Sequence, residues 1–271
     1  MAVYRALETA RPDAIFRDPF AERLAGERGH QIMEAMPHGR AYAWPMIVRT
    51  AVFDEIILEA VQKRQVDLVL NLAAGLDARP WRLPLPPSLR WVDVDLPGIL
   101  NYKTEMLRDE KPVCRYEAVT IDLTDAQKRQ ALFAELGAAA TRALVVTEGL
   151  LIYLAPEQVA ALATDLHAQP SFEEWLIDLA SPQLLQRMQR TWGKNLESGG
   201  APFKFAPAEG TEFFRPYGWR ETLFRSNWEE AKRLKRTMKG FWFWNLIGRL
   251  SPPKVREGFR RFSGFVLLAR E

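Results

Sequence analysis

Apolar positions along the chain recur with two periods. Short apolar runs, the clearest being Leu68-Val69-Leu70-Asn71-Leu72, alternate with longer stretches in which apolar residues return every three to four positions. The run at 68–72 has few turn formers, which predicts a strand buried on both faces of a parallel sheet. Further strands are predicted at 90–94, 115–121, 142–147 and 174–179, and a last pair at 219–225 and 264–269. Ile47, Val48, Ala51, Leu58 and Val61 keep helical spacing through 46–64, and 126–136 is also helical. Pro156 opens another helix, with Val159, Leu162, Ala163 and Leu166 on one face. Strands alternating with helices predict an α/β fold with a doubly wound, mostly parallel seven-stranded sheet. Residues 1–45 read as an N-terminal helical cap, in which Asp18-Pro19 starts a helix with Pro19 at its first position. The core then runs over 46–180, a helical lid insertion over 181–215, and the C-terminal strand pair with an aromatic and basic helix over 216–271, all as one domain.

The stretch 67–97 carries the candidate chemistry. Its first strand leads into Ala73-Ala74-Gly75, where Gly75 permits a tight turn and a close ligand approach. Asp77 is placed to cap the following helix. The second strand ends in Asp95, 20 residues after Gly75. Strand, glycine turn, helix, strand and acid outline a nucleoside-binding βαβ unit, with Asp95 suited to ribose hydroxyls. A dinucleotide fingerprint would want glycine at Ala73 and Ala78 as well. A pyrophosphate would also meet Asp77 at the helix start, where Arg79 offsets only part of the repulsion. A cationic, phosphate-free nucleoside meets no such penalty, so charge favours S-adenosylmethionine (SAM) over NAD. Glu148, at the carboxyl end of the fourth strand, lies where ligands of open α/β sheets collect and suits a cationic cofactor.

The residues 71–82, NLAAGLDARPWR, followed by Val92-Asp93-Val94-Asp95-Leu96-Pro97 and by Thr147-Glu148-Gly149-Leu150-Leu151-Ile152-Tyr153-Leu154, resemble the leucine carboxyl methyltransferase family of class I SAM-dependent enzymes. The resemblance runs from about Asp18-Pro19 to the C-terminus. The family's usual turn is Gly-Ala-Gly-Leu-Asp-Thr-Arg, from which Ala73 and Ala78 depart. The resemblance implies that Arg49 contacts the methionine part of SAM, and that Asp122 and Leu123 lie near the adenine. It places Ala73, Gly75, Asp95 and Glu148 in the same site. Without the resemblance, Arg49 reads as a surface charge and Asp122 as a helix cap.

Composition sets the remaining bounds. The chain has 271 residues, 48% hydrophobic and 26% charged, an ordinary globular balance. The single Cys114 suits a reducing compartment. With no apolar signal-like segment and no apolar run long enough to span a bilayer, a cytoplasmic protein is expected. Net charge is +3, but residues 232–261 hold ten Lys and Arg against one acid, leaving 27 basic and 33 acidic residues elsewhere. This basic patch reads first as a solvated face. The aromatic run Phe241-Trp242-Phe243-Trp244-Asn245-Leu246-Ile247 reads first as core or subunit contact, with a pocket wall or a membrane anchor as alternatives.

His30, His38 and His167 lack metal-ligand spacing, so no metal is expected, and no Gly-x-Ser-x-Gly elbow supports a hydrolase. Methyl transfer needs neither. No residue presents itself as a base, which favours a carboxylate or acidic phenol on a small-molecule acceptor. The competing readings are an NAD-dependent oxidoreductase and a non-catalytic protein that uses the basic patch. No nucleic-acid partner is expected.

Overall fold

A computed structural model of the chain describes residues 1–198, 201–238, 240–243 and 251–271. Its seven-stranded sheet contains β1 (Leu68–Leu72), β2 (Arg90–Asp95), β3 (Arg115–Thr120), β4 (Ala143–Thr147), β5 (Phe172–Ala180), β6 (Trp219–Ser226) and β7 (Ser263–Arg270). The order is β3-β2-β1-β4-β5-β7-β6. The first five strands are parallel, and β7 runs antiparallel between β5 and β6. Each predicted strand is found, with ends that move by a residue or two.

Alternation along the central strands explains the two covered faces. Leu68, Leu70 and Leu72 of β1 point to one side with Val92, Val94 and Val145. There they meet α6 (Ala126–Ala139) and α7 (Pro156–His167) through Phe133, Leu136, Val159 and Leu162. Val69 points to the other side with Trp91, Leu144 and Val146, against Val48, Val52, Phe53 and Ile56 of α3 (Ala43–Lys63). A buried side chain of this size contributes about 1.5–3 kcal/mol. The strand β3 forms one edge and is largely exposed.

The N-terminal segment forms α1 (Ala2–Thr9) and α2 (Ala21–Ala35). The second helix starts later than Asp18-Pro19 predicts, because Asp18 is drawn inward. Its carboxylate is buried against Arg5 at 2.7 Å and accepts the Phe20 N–H at 3.1 Å. After Gly75 comes a single short turn, α4 (Arg79–Arg82), and after β2 comes α5 (Pro97–Met106). Between β5 and β6 lie α8 (Pro182–Ser198) and a 3-10 helix, Gly210–Tyr217, whose Phe214 returns to the core. Trp192 of α8 reaches back to the N-terminal segment, donating to the Pro37 carbonyl at 3.1 Å and meeting the Tyr42 ring edge-on. The β6–β7 connection contains α9 (Asn227–Arg233) and α10 (Pro253–Arg260). Of the predicted aromatic run, Phe241 stacks on Trp228 and Trp242 is exposed, while 244–247 lie outside the described residues. Among the described residues no helix is long and apolar enough to cross a membrane.

Candidate cofactor site

At the carboxyl ends of β1 and β4, a cavity of about 100 Å³ is lined by Arg49, Ala73, Gly75 and Glu148, with Arg5, Asn71, Asp77 and Arg79. Four of the residues singled out from sequence therefore meet in one place. Gly75 has φ +53°, and nothing lies within 4 Å of where its Cβ would be, so its backbone faces open space. Ala73 has φ +54°, a left-handed conformation that costs an L-residue energy. Asp95 stands beside the turn. One carboxylate oxygen accepts the Gly75 N–H at 2.7 Å and the other accepts the Leu96 N–H at 2.7 Å. Asp122 and Leu123 lie outside the cavity lining. Asp122 is exposed and accepts the Thr124 N–H at 2.9 Å, which holds its carboxyl below the ordinary range. The helix cap next to it is supplied by Asp125, which accepts the Lys128 N–H.

Arg49 projects from α3 between two carboxylates. Its Nε donates to Glu148 at 3.0 Å and its Nη1 to Asp178 at 2.8 Å, while Nη2 has no hydrogen bond among the described residues. Glu148 follows β4 and Asp178 lies near the carboxyl end of β5, so both acids reach the site by the same strand-end placement. Asp178 also accepts the Gly149 N–H at 2.6 Å, and Gly149 has φ +69° with the Arg49 guanidinium 3.0 Å from where its Cβ would be. Any other residue would be strained at that φ and would press on the arginine. The acid at 178 carries the same strand-end signal as Glu148, whereas nothing in the sequence pattern marks Arg5.

The network continues through Arg79, which bonds Asp77 at 2.6 Å, Glu148 at 2.8 Å and Asp54 at 2.7 Å. Asp54 takes Arg82 at 2.6 Å. Asn71 donates to Asp77 at 3.2 Å and to Asp93 at 2.9 Å, and Asp93 pairs with the fully buried Lys103. Asp77 is thus not an uncompensated charge. Ala78 holds the cap position of the short α4, and the Asp77 carboxylate, buried among cations, accepts the Arg79 N–H at the helix start at 2.9 Å. Burial pushes its carboxyl up, but Arg79 and Lys103 outweigh this and draw it down to about 2. Glu148 is lowered in the same way: Arg79 and Arg49 outweigh burial. The connected set holds Arg5, Arg49, Arg79, Arg82 and Lys103 against Asp18, Asp54, Asp77, Asp93, Glu148 and Asp178, one carboxylate more than cations. Among the described residues no group of His, Cys, Asp and Glu is arranged to hold a metal.

A model of the leucine carboxyl methyltransferase family matches residues 1–167, and the chain belongs to that family. A Streptomyces coelicolor protein, named as a candidate S-adenosyl-L-methionine-dependent methyltransferase, is 34% identical over 178 residues, 62% of this chain and 62% of its own. A Frankia alni protein with the same type of name is 33% identical over 205 residues, 69% of this chain and 72% of its own. The matched region so spans about three fifths of the length of curated relatives such as the first. Among solved structures, a candidate methyltransferase from Thermobifida fusca superposes with a TM-score of 0.62 at 14% identity, covering 100% of this chain and 94% of that one. At that identity the likeness establishes the α/β fold.

Proposed function

We propose that the chain is a SAM-dependent methyltransferase that methylates an oxygen, a carboxylate or phenol, on a small molecule. The observation that carries this reading is the cavity beside the open Gly75 turn, with Arg49 and Glu148 side by side on its lining. A cation and a carboxylate 3.0 Å apart suit the zwitterionic amino-acid end of that cofactor. The residues fit the cofactor. Arg49 has one guanidinium nitrogen unbonded among the described residues to offer a carboxylate, Glu148 presents an acceptor to an ammonium, and Asp95 stands at the turn for ribose hydroxyls. Asp122 and Leu123 are assigned to the adenine by family pattern. The open backbone at Gly75 borders this cavity, which supports a nucleoside lying over the turn with its amino-acid end inside.

When bound, SAM supplies an electrophilic methyl group on a sulfonium. The protein holds and orients, and keeps water from the reacting atoms. Tyr153 is half-buried close to Arg49 and Asp178. Burial pushes its phenol up, only partly offset by Arg49, which works against a role as base. A carboxylate acceptor is already ionised and needs none, which favours carboxyl methylation. The 181–215 segment is assigned as the lid on family pattern, and none of its described residues lines the cavity.

Calorimetry with S-adenosylhomocysteine and NAD tests the reading. S-adenosylhomocysteine is expected to bind and NAD not. Arg49→Lys, which keeps charge but loses the planar fork, is expected to weaken S-adenosylhomocysteine about tenfold while leaving 5′-methylthioadenosine, which lacks the carboxylate, unchanged. Tight NAD binding with no affinity for the sulfur nucleosides would overturn it.

A further inference from the structure

The described residues of the connection between β6 and β7 take no part in the charge network of the site. Ser226 at the end of β6 pairs with Gly264 of β7, and Ser263 pairs with Ala180 at the carboxyl end of β5. The connection therefore leaves and rejoins the sheet at the end that bears the cavity. Within it Phe241 stacks on Trp228 of α9, with ring centroids 4.1 Å apart. That stack anchors the turn and leaves Trp242 73% exposed. Beside α9, α10 is held by Arg260 to Glu229 at 3.4 Å, yet none of its residues is buried. Val255 and Phe259, four positions apart on one helix face, are 45% and 47% exposed. A short helix in water is marginal without an apolar face packed on something, and here the apolar face meets solvent. Lys254 and Arg256, which flank Val255 on the same helix, are exposed and form no ion pair among the described residues.

We infer that this surface docks on an anionic lipid bilayer. Trp242, Val255 and Phe259 enter the headgroup boundary, and Lys254 and Arg256 meet lipid phosphates. An apolar stripe flanked by cations matches such an interface on both counts. A nucleic acid would satisfy the cations but give Val255 and Phe259 little to bury against. A second copy of the chain, meeting by the same face, would bring cation against cation.

Co-sedimentation of the full chain with vesicles tests this, using phosphatidylcholine alone and an equal mixture of phosphatidylcholine and phosphatidylglycerol. Binding to the mixture is expected to be tenfold or more tighter. Lys254→Glu with Arg256→Glu is expected to lower it about tenfold or more. Trp242→Ser is expected to weaken it severalfold, and Trp242→Phe to keep most of it. All three side chains are exposed, so circular dichroism should match the parent. Equal or absent binding to the two vesicle types overturns the inference. So does binding that survives the substitutions, a dimer that Trp242→Ser dissociates without any vesicle binding, or retention on single-stranded RNA in place of vesicles.

Discussion

Single residues decide how well the turn at the cavity is made. Ala73 adopts φ +54° where the family pattern carries glycine, whereas Ala78, the other departure, sits at an ordinary φ of −116°. Only the first departure costs energy, since its methyl group crowds the following carbonyl in the left-handed region. Ala73→Gly is therefore expected to stabilise the protein by about 1 kcal/mol, against the usual direction of an Ala-to-Gly change. Thermal unfolding measures it, and a lowered melting temperature would show that Ala73 is unstrained. Asp95 carries a related lesson. Its spacing from Gly75 marked it for a ribose, and the structure also gives it the Gly75 N–H. Its loss would thus disturb the turn as well as any ligand.

At the scale of elements, the strands were legible because burial on two faces leaves a continuous apolar run that few other structures explain. The final pair and the helices around Ile47, Val159 and Leu132 were legible from period alone. Helix starts were read less well: Asp18 looked like a turn former and is instead a buried partner of Arg5. Charge partners were not legible at all. Arg49 meets acids 99 and 129 positions away, a choice made by strand order and not by spacing. Asp93 on β2 and Lys103 on α5 show what such pairs hold together, since both side chains are fully buried. Lys103→Met would leave the Asp93 carboxylate without its cation, and is expected to cost about 3–5 kcal/mol. Adding Asp93→Leu should recover part of that loss, because a buried pair removed whole costs less than a pair broken in half. Urea unfolding of the parent, both single variants and the double variant measures the coupling. Additive losses would mean that the two residues do not act as a pair.

Across the whole molecule, the network ties α1, α3 and α4 to the carboxyl ends of β4 and β5, so its protonation bears on global stability. Burial alone would raise the Asp77 carboxyl, but Arg79, Lys103, Arg5 and Arg82 bring it down to about 2. In the unfolded chain an aspartate titrates near ~3.9. The folded state thus binds the proton more weakly than the unfolded one. Asp77 contributes its stability in full above about pH 4, and loses it as pH falls toward about 2. Glu148 is lowered too and acts in the same direction. At roughly 1.4 kcal/mol per pKa unit the Asp77 share is about 2–3 kcal/mol. Asp77→Asn keeps the size of the side chain and removes the proton-linked charge. Urea unfolding at neutral pH should show the variant less stable than the parent. The gap should then narrow as pH falls from about 4 to about 2, where the parent's Asp77 takes up its proton. A gap that stays constant down to the lowest pH would mean that the carboxylate of Asp77 is not held down by its cations in the folded protein.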